Sequence, residues 1–214
     1  MKLLLTSDGI NNQSLIDALV SLTPKPLPEC TAVFVPTAAN KIVNDDKDWE
    51  RSNIDDCRDL GFKDFEVVNI DEDTNQALKK LEAADIIVMG GGETSYLMEH
   101  IKNSGLMEAC KNWSNKVWVG ISAGSMVCAP EILDSDNDLY DESAGYNTEG
   151  LNLVPFYILP HYHSHNFPKL GDEFLESYFK DNNRETYVLD DESGVLVDGD
   201  RVKVISEGKW RKFN

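Results

Sequence analysis

Basic residues are what this chain is short of: 20 Lys and Arg stand against 38 Asp and Glu over 214 residues, a formal net charge of −18. Phosphate contacts need clustered Lys and Arg, so the deficit excludes a nucleic-acid backbone as an expected partner and equally an anionic lipid surface. Cysteine is sparse and scattered. Cys30, Cys57, Cys110 and Cys128 form no CxxC or finger spacing, which argues against a zinc module or a disulfide frame and makes a reducing cytoplasm the expected location. Cys128 is read as a small buried apolar residue rather than a nucleophile. The longest apolar runs are near half a membrane span, so no transmembrane helix is expected. The opening run to Leu5 is too short for a signal peptide and fits a core strand. HExxH, GK[ST] and GxGxxG are all missing, as are repeats and linkers, so residues 1–214 are expected to form a single domain.

What is present is alternation. Strand-like runs at Leu3–Leu5, Thr31–Pro36, Phe65–Ile70, Asp85–Met89 and Lys116–Ile121 are separated by helical spacing at Ser14–Leu22, within Val43–Leu60, at Asn75–Ala83 and at Thr94–Lys102. That order predicts an α/β three-layer sandwich with a mostly parallel central sheet, its ligand site at the carboxyl ends of the strands. Near the end, Gly194–Val197 and Arg201–Ile205 flank Asp198-Gly199-Asp200, which predicts a short C-terminal β-hairpin. The acidic residues, including Asp134 to Glu142 and Asp190 to Glu192, are read as mostly solvated loops and helix faces.

Gly120-Ile121-Ser122-Ala123-Gly124 carries the chemistry. A serine between a buried strand and a short helix, with glycine on either side, has the mechanical context of a nucleophile elbow. A hydroxyl is a poor nucleophile until a base takes its proton. Of the four histidines, His161 follows an apolar strand at its carboxyl end and is the candidate base. His161, His163 and His165 alternate, so an extended backbone would put all three on one face, where a metal is the rival reading. The acids of the segment from Glu131 to Glu142, between Ser122 and His161 (Glu131, Asp134, Asp136, Asp138, Asp141 and Glu142), are too many for spacing to select the one that orients the imidazole. Gly90-Gly91-Gly92, after the fourth strand, offers backbone amides that could pair with the Ala123 amide around an oxyanion.

With these residues in view, the chain resembles the dipeptidase E and cyanophycinase family of serine peptidases. Three motifs in order carry the likeness: Gly90-Gly91-Gly92-Glu93-Thr94, Gly120 to Ser125, and Leu153 to His161. The resemblance implies a fold like that of class I glutamine amidotransferases with serine at the elbow. It implies Ser122 as nucleophile, His161 as base, an oxyanion hole from Gly92 and Ala123, and substrate contacts at Gly91 and Glu93. The family's acid follows an asparagine shortly after the elbow, and Asn137-Asp138 is the best match, with a one-residue insertion; Asp136 and Glu142 stay open. The family's loop usually continues with Asn or Asp where this chain has Glu93. The implied activity is hydrolysis of small peptides, dipeptides with an N-terminal Asp among them, by a monomer or homodimer needing no cofactor or metal. An α/β-hydrolase-type esterase and a non-catalytic small-molecule-binding protein on the same scaffold are the alternatives.

Overall fold

Strands β1 (Lys2–Thr6), β2 (Thr31–Val35), β3 (Asp64–Val67), β4 (Ile86–Met89) and β5 (Val117–Ile121) pair in parallel in the order β1-β5-β4-β2-β3. They do so in a computed structural model that describes all residues except 44, 134, 135, 137, 141–147 and 181. The period of two along each strand explains the layers. Leu3, Leu5, Ile87, Met89 and Trp118 point into one core, and Leu4, Ile86, Val88, Val117 and Val119 into another. The first core is covered by helices α3 (Thr74–Ala83), α4 (Thr94–Ser104) and α5 (Leu106–Cys110); the second by α1 (Gln13–Leu22) and α2 (Asp48–Asp59). Asn12 caps α1 by accepting from the Leu15 amide, and Asp73 caps α3 by accepting from Gln76. The three-layer expectation holds.

The carboxyl-terminal strands do more than append a hairpin. Strand β10 (Ser193–Asp198) pairs antiparallel with β1, and β11 (Arg201–Ser206) follows it, so the central sheet becomes mixed and seven-stranded. Their turn is Gly199-Asp200, with Gly199 at φ 60°. Glu131–Ile132 (β6) and Thr148–Glu149 (β7) make a small separate pair. A further sheet, unforeseen in the sequence, joins β8 (Tyr157–Leu159), β9 (Thr186–Leu189) and β12 (Trp210–Phe213). Strands β8 and β9 run parallel, over a small core of Leu159, Tyr162, Leu170, Leu175 and Val188 that includes helix α7 (Asp172–Tyr178).

Beside this sheet lies a buried ion pair. Arg184 donates to Asp136 Oδ1, the Tyr178 hydroxyl donates to the same oxygen at 2.6 Å, and the guanidinium lies 4.7 Å from the Tyr157 ring centre. Burial pushes the Asp136 carboxyl up, and Arg184 and Tyr178 offset that only in part. Breaking one side of such a pair strands a charge. Asp136→Ala is therefore expected to cost about 3–5 kcal/mol, a fall in Tm of roughly 6–20 °C for a chain of this size. Calorimetry against an Asp136→Leu/Arg184→Met double variant checks this, because the double variant should recover most of the loss.

Candidate active site

Strand β5 is buried along its whole length, and the chain leaves it at Ser122 with φ 49° and ψ −112° before entering α6 (Ala123–Met126). Such dihedrals are costly for a non-glycine residue and persist only where the surroundings hold them. Here the surroundings are specific. The Ser122 amide donates to the Thr6 carbonyl (3.1 Å) and the Ser125 hydroxyl donates to that same carbonyl (2.8 Å). The Thr6 hydroxyl donates to Gly120 O (2.8 Å), and Trp118 Nε1 donates to Gly124 O (3.2 Å). A Cβ on Gly120 would lie 2.6 Å from Gly124 O, and one on Gly124 would lie 2.0 Å from Met89 O. Gly124→Ala drives a methyl into backbone that cannot retreat, and is expected to cost about 3 kcal/mol or more. A melting curve reads this as a Tm lowered by at least about 6 °C.

His161 does not arrive on the central sheet. Strand β8 pairs with β9 instead, and His161 sits two residues beyond β8 at φ 67°. Its Nε2 lies 2.9 Å from Ser122 Oγ and its Nδ1 2.7 Å from Asp191 Oδ1. Asp191 in turn sits two residues beyond β9, in the link to β10. Parallel neighbours present their carboxyl ends on the same side, so β8 delivers the imidazole and β9 the carboxylate. Ser7 ties the two together: its Oγ accepts from the His161 amide (2.8 Å) and donates to Asp191 Oδ1 (3.0 Å). The ring of Phe167 stacks on the imidazole at 4.8 Å, and Tyr140, whose hydroxyl donates to Pro160 O (3.1 Å), meets it edge-on. Burial raises the Asp191 carboxyl, but hydrogen bonds from His161 and Ser7 and the attraction of the ring outweigh it and hold it below the usual range.

The Nδ1 position that the sequence reading gave to Asp138 is thus held by Asp191. Asp138 opens the turn Asp138–Tyr140 and its side chain lies outside the described residues, as do Asp134, Asp141 and Glu142. Asp136 is committed to Arg184, and Glu131 accepts from the Tyr157 hydroxyl (3.2 Å). The histidine strip does not stay extended either, since His161 and His163 both have positive φ. His163 faces Asp172 at 3.4 Å and His165 is exposed. Among the described residues no group of three or more His, Cys, Asp or Glu is placed to hold a metal ion. All four cysteines are free and buried, and burial pushes the Cys128 thiol well above its usual value.

Ser122 and His161 open onto a cleft of about 820 Å³, lined also by Gly91, Gly92 and Glu93. A Cβ on Gly91 would touch Ser122 Cβ at 3.2 Å, so the glycine backbone runs beside the serine. Gly92 has φ 133°, and a Cβ there would lie 2.3 Å from the Ala38 carbonyl carbon. Ala123 opens a helix, so its amide belongs to the set without an intrahelical acceptor.

Asp8 lines the same cleft, and its carboxyl is pushed up to about 6 by burial and by repulsion from Asp191 and Asp56, against attraction from His161. The folded chain keeps this proton up to about pH 6, whereas the ordinary carboxyl releases it near 3.8. Stability therefore falls as pH rises through that window. Asp8→Asn removes the loss, about 1.5 kcal/mol at pH 7, which is half the full linkage because cleft water screens the group. Melting curves should show the variant above wild type at pH 7, with the two converging below about pH 4.

A family model described as Peptidase family S51 matches residues 3–205. Peptidase E of Nostoc sp. (strain PCC 7120) is 30% identical over 145 residues, covering 65% of this chain and 57% of that protein's length. The uncharacterized peptidase Lmo0363 of Listeria monocytogenes is 25% identical over 181 residues, 80% of this chain and 84% of the relative. The crystal structure of a peptidase from an acI-B1 Actinobacterium superposes with TM-score 0.74 at 20% identity, covering 98% of this chain and 88% of that one. A Listeria monocytogenes EGD-e crystal structure gives TM-score 0.78 at 23% identity over 97% of this chain and 98% of the other. The structures speak to the fold: an α/β architecture around a mostly parallel sheet. No described helix is long and apolar enough to cross a membrane.

Proposed function

We propose that this chain, which belongs to peptidase family S51, hydrolyses small peptides through Ser122 as nucleophile, His161 as general base and Asp191 as the acid that orients it. One observation carries the reading: Ser122 Oγ, His161 and Asp191 form an unbroken hydrogen-bonded line of 2.9 and 2.7 Å at a strained strand-to-helix turn. With its Nδ1 proton donated to Asp191, the imidazole leaves Nε2 to accept the serine proton as Oγ attacks the scissile carbonyl. The developing oxyanion takes hydrogen bonds from the Gly92 and Ala123 amides, which lose nothing by reorganising because the backbone is already fixed. His161 then protonates the leaving amine, and water repeats the cycle on the acyl-enzyme. Phe167, stacked on the imidazole, and Tyr140, against its edge, restrict the ring's rotation away from its two partners.

A cleft of about 820 Å³ suits a substrate the size of a di- or tripeptide. The only cation among its described lining residues is Lys41, so a preference for an N-terminal Asp would rest on that lysine. The test is a dipeptide library incubated with purified protein and read by mass spectrometry, with Ser122→Ala alongside. Products in the wild-type sample alone support the reading; products in neither, from folded protein, contradict it.

A further inference from the structure

We propose that Asp8 is a specificity-determining residue whose carboxylate receives a primary ammonium group of the substrate beside Ser122. The proposal rests on the peptidase reading above and extends it to the substrate's charge. Thr6, Ser7 and Asp8 leave β1 as one support for the site: Thr6 holds the elbow, and Ser7 bonds both His161 and Asp191. Asp8 comes next in the chain, half-buried, in the wall of the same cleft.

The other carboxylates of the cleft have work already. Asp45 accepts from the Lys47 amide (2.9 Å) and Trp49 Nε1 (3.1 Å), Asp191 accepts from Ser7 and His161, and Glu93 has a partner of its own. Asp8 receives no hydrogen bond among the described residues, and the charges acting on it are the repulsive Asp191 and Asp56 and the attractive His161. A half-buried carboxylate repelled by two others gains most from a cation it can bond directly. Among the described residues no lysine or arginine bonds it; the substrate can supply that cation.

A peptide's α-amine is two bonds from the carbonyl carbon of its first residue. With the ammonium held at Asp8 and that carbonyl at Ser122, in the same cleft, cleavage would be confined to the first peptide bond. A lysine side chain at the same residue offers the same group from further out.

The test compares kcat/KM for Ala-Leu with acetyl-Ala-Leu, and for acetyl-Lys-Leu with acetyl-norleucyl-Leu, in wild type, Asp8→Asn and Asp8→Glu. Wild type should favour the ammonium-bearing member of one pair by about 30-fold. Asp8→Asn should reduce that preference at least about tenfold, mainly through KM, and Asp8→Glu should restore part of it. The pair that responds identifies the source as α-amine or side chain. Equal preference in wild type and Asp8→Asn, or no preference in wild type, overturns the proposal. Fluorophosphonate labelling of the same samples separates the two failures: if wild type labels at Ser122 and cleaves peptides, only the Asp8 proposal falls, and if it does neither, both fall.

Discussion

Ser122→Ala is expected to lower turnover by at least about 10⁴-fold, and His161→Ala by a similar factor, with the double variant scarcely worse than either. The two groups act as a unit: without the hydroxyl there is no acyl-enzyme, and without the imidazole the hydroxyl keeps its proton. What survives is the contribution of binding and of the amides at Gly92 and Ala123. The fold should not be the cause of the loss. Alanine meets the same backbone strain at φ 49°, and the amide bond to Thr6 that fixes the turn is untouched. Ser122→Ala should therefore melt within about 1 kcal/mol of wild type, as expected of a change away from packing defects. Steady-state kinetics and a melting curve on one preparation separate the two effects.

Asp191→Asn is expected to cost about 10⁴-fold in kcat while Asp138→Asn leaves it near wild type, the loss being that of a triad whose imidazole is held in the wrong tautomer. Asparagine can turn its amide N–H toward Nδ1, which moves the ring proton to Nε2 and leaves no acceptor for the serine proton. Ser7 gives this a second dimension, because its hydroxyl bonds Asp191 Oδ1 and its Oγ also receives the His161 amide. A carboxylate held below its usual range stays ionised into acid, so Asp191 adds stability above the unfolded value that is lost as pH falls through the folded one. Equal activity of Asp191→Asn and wild type would remove Asp191 from the mechanism.

The five parallel strands and helices α1 to α4 were legible because each signal was local: short β-branched runs, helical spacing and glycines; the five-residue α5 (Leu106–Cys110) is too short to show such spacing and was not foreseen. The elbow was legible for the same reason, and the structure gives its glycines a steric cause in Gly124 O and Met89 O. The choice of His161 needed only its place after an apolar strand. Asp191 was not visible, because its selection depends on β9 pairing with β8, a contact across about thirty residues with no local mark. In sequence, Asp190 to Glu192 reads as one more solvated acidic run. The signal that could have found it is positional: His161 and Asp191 each stand two residues past a strand end. The second sheet was missed on the same ground, since β8 is only three residues long and gains its stability from neighbours.

The most direct measurement is reaction of the folded protein with a fluorophosphonate, followed by peptide mapping in a mass spectrometer. The account predicts one adduct per chain, on Ser122, absent after Ser122→Ala and strongly slowed after His161→Ala. A folded, active preparation that stays unlabelled at Ser122, or carries its adduct on another residue, would contradict it.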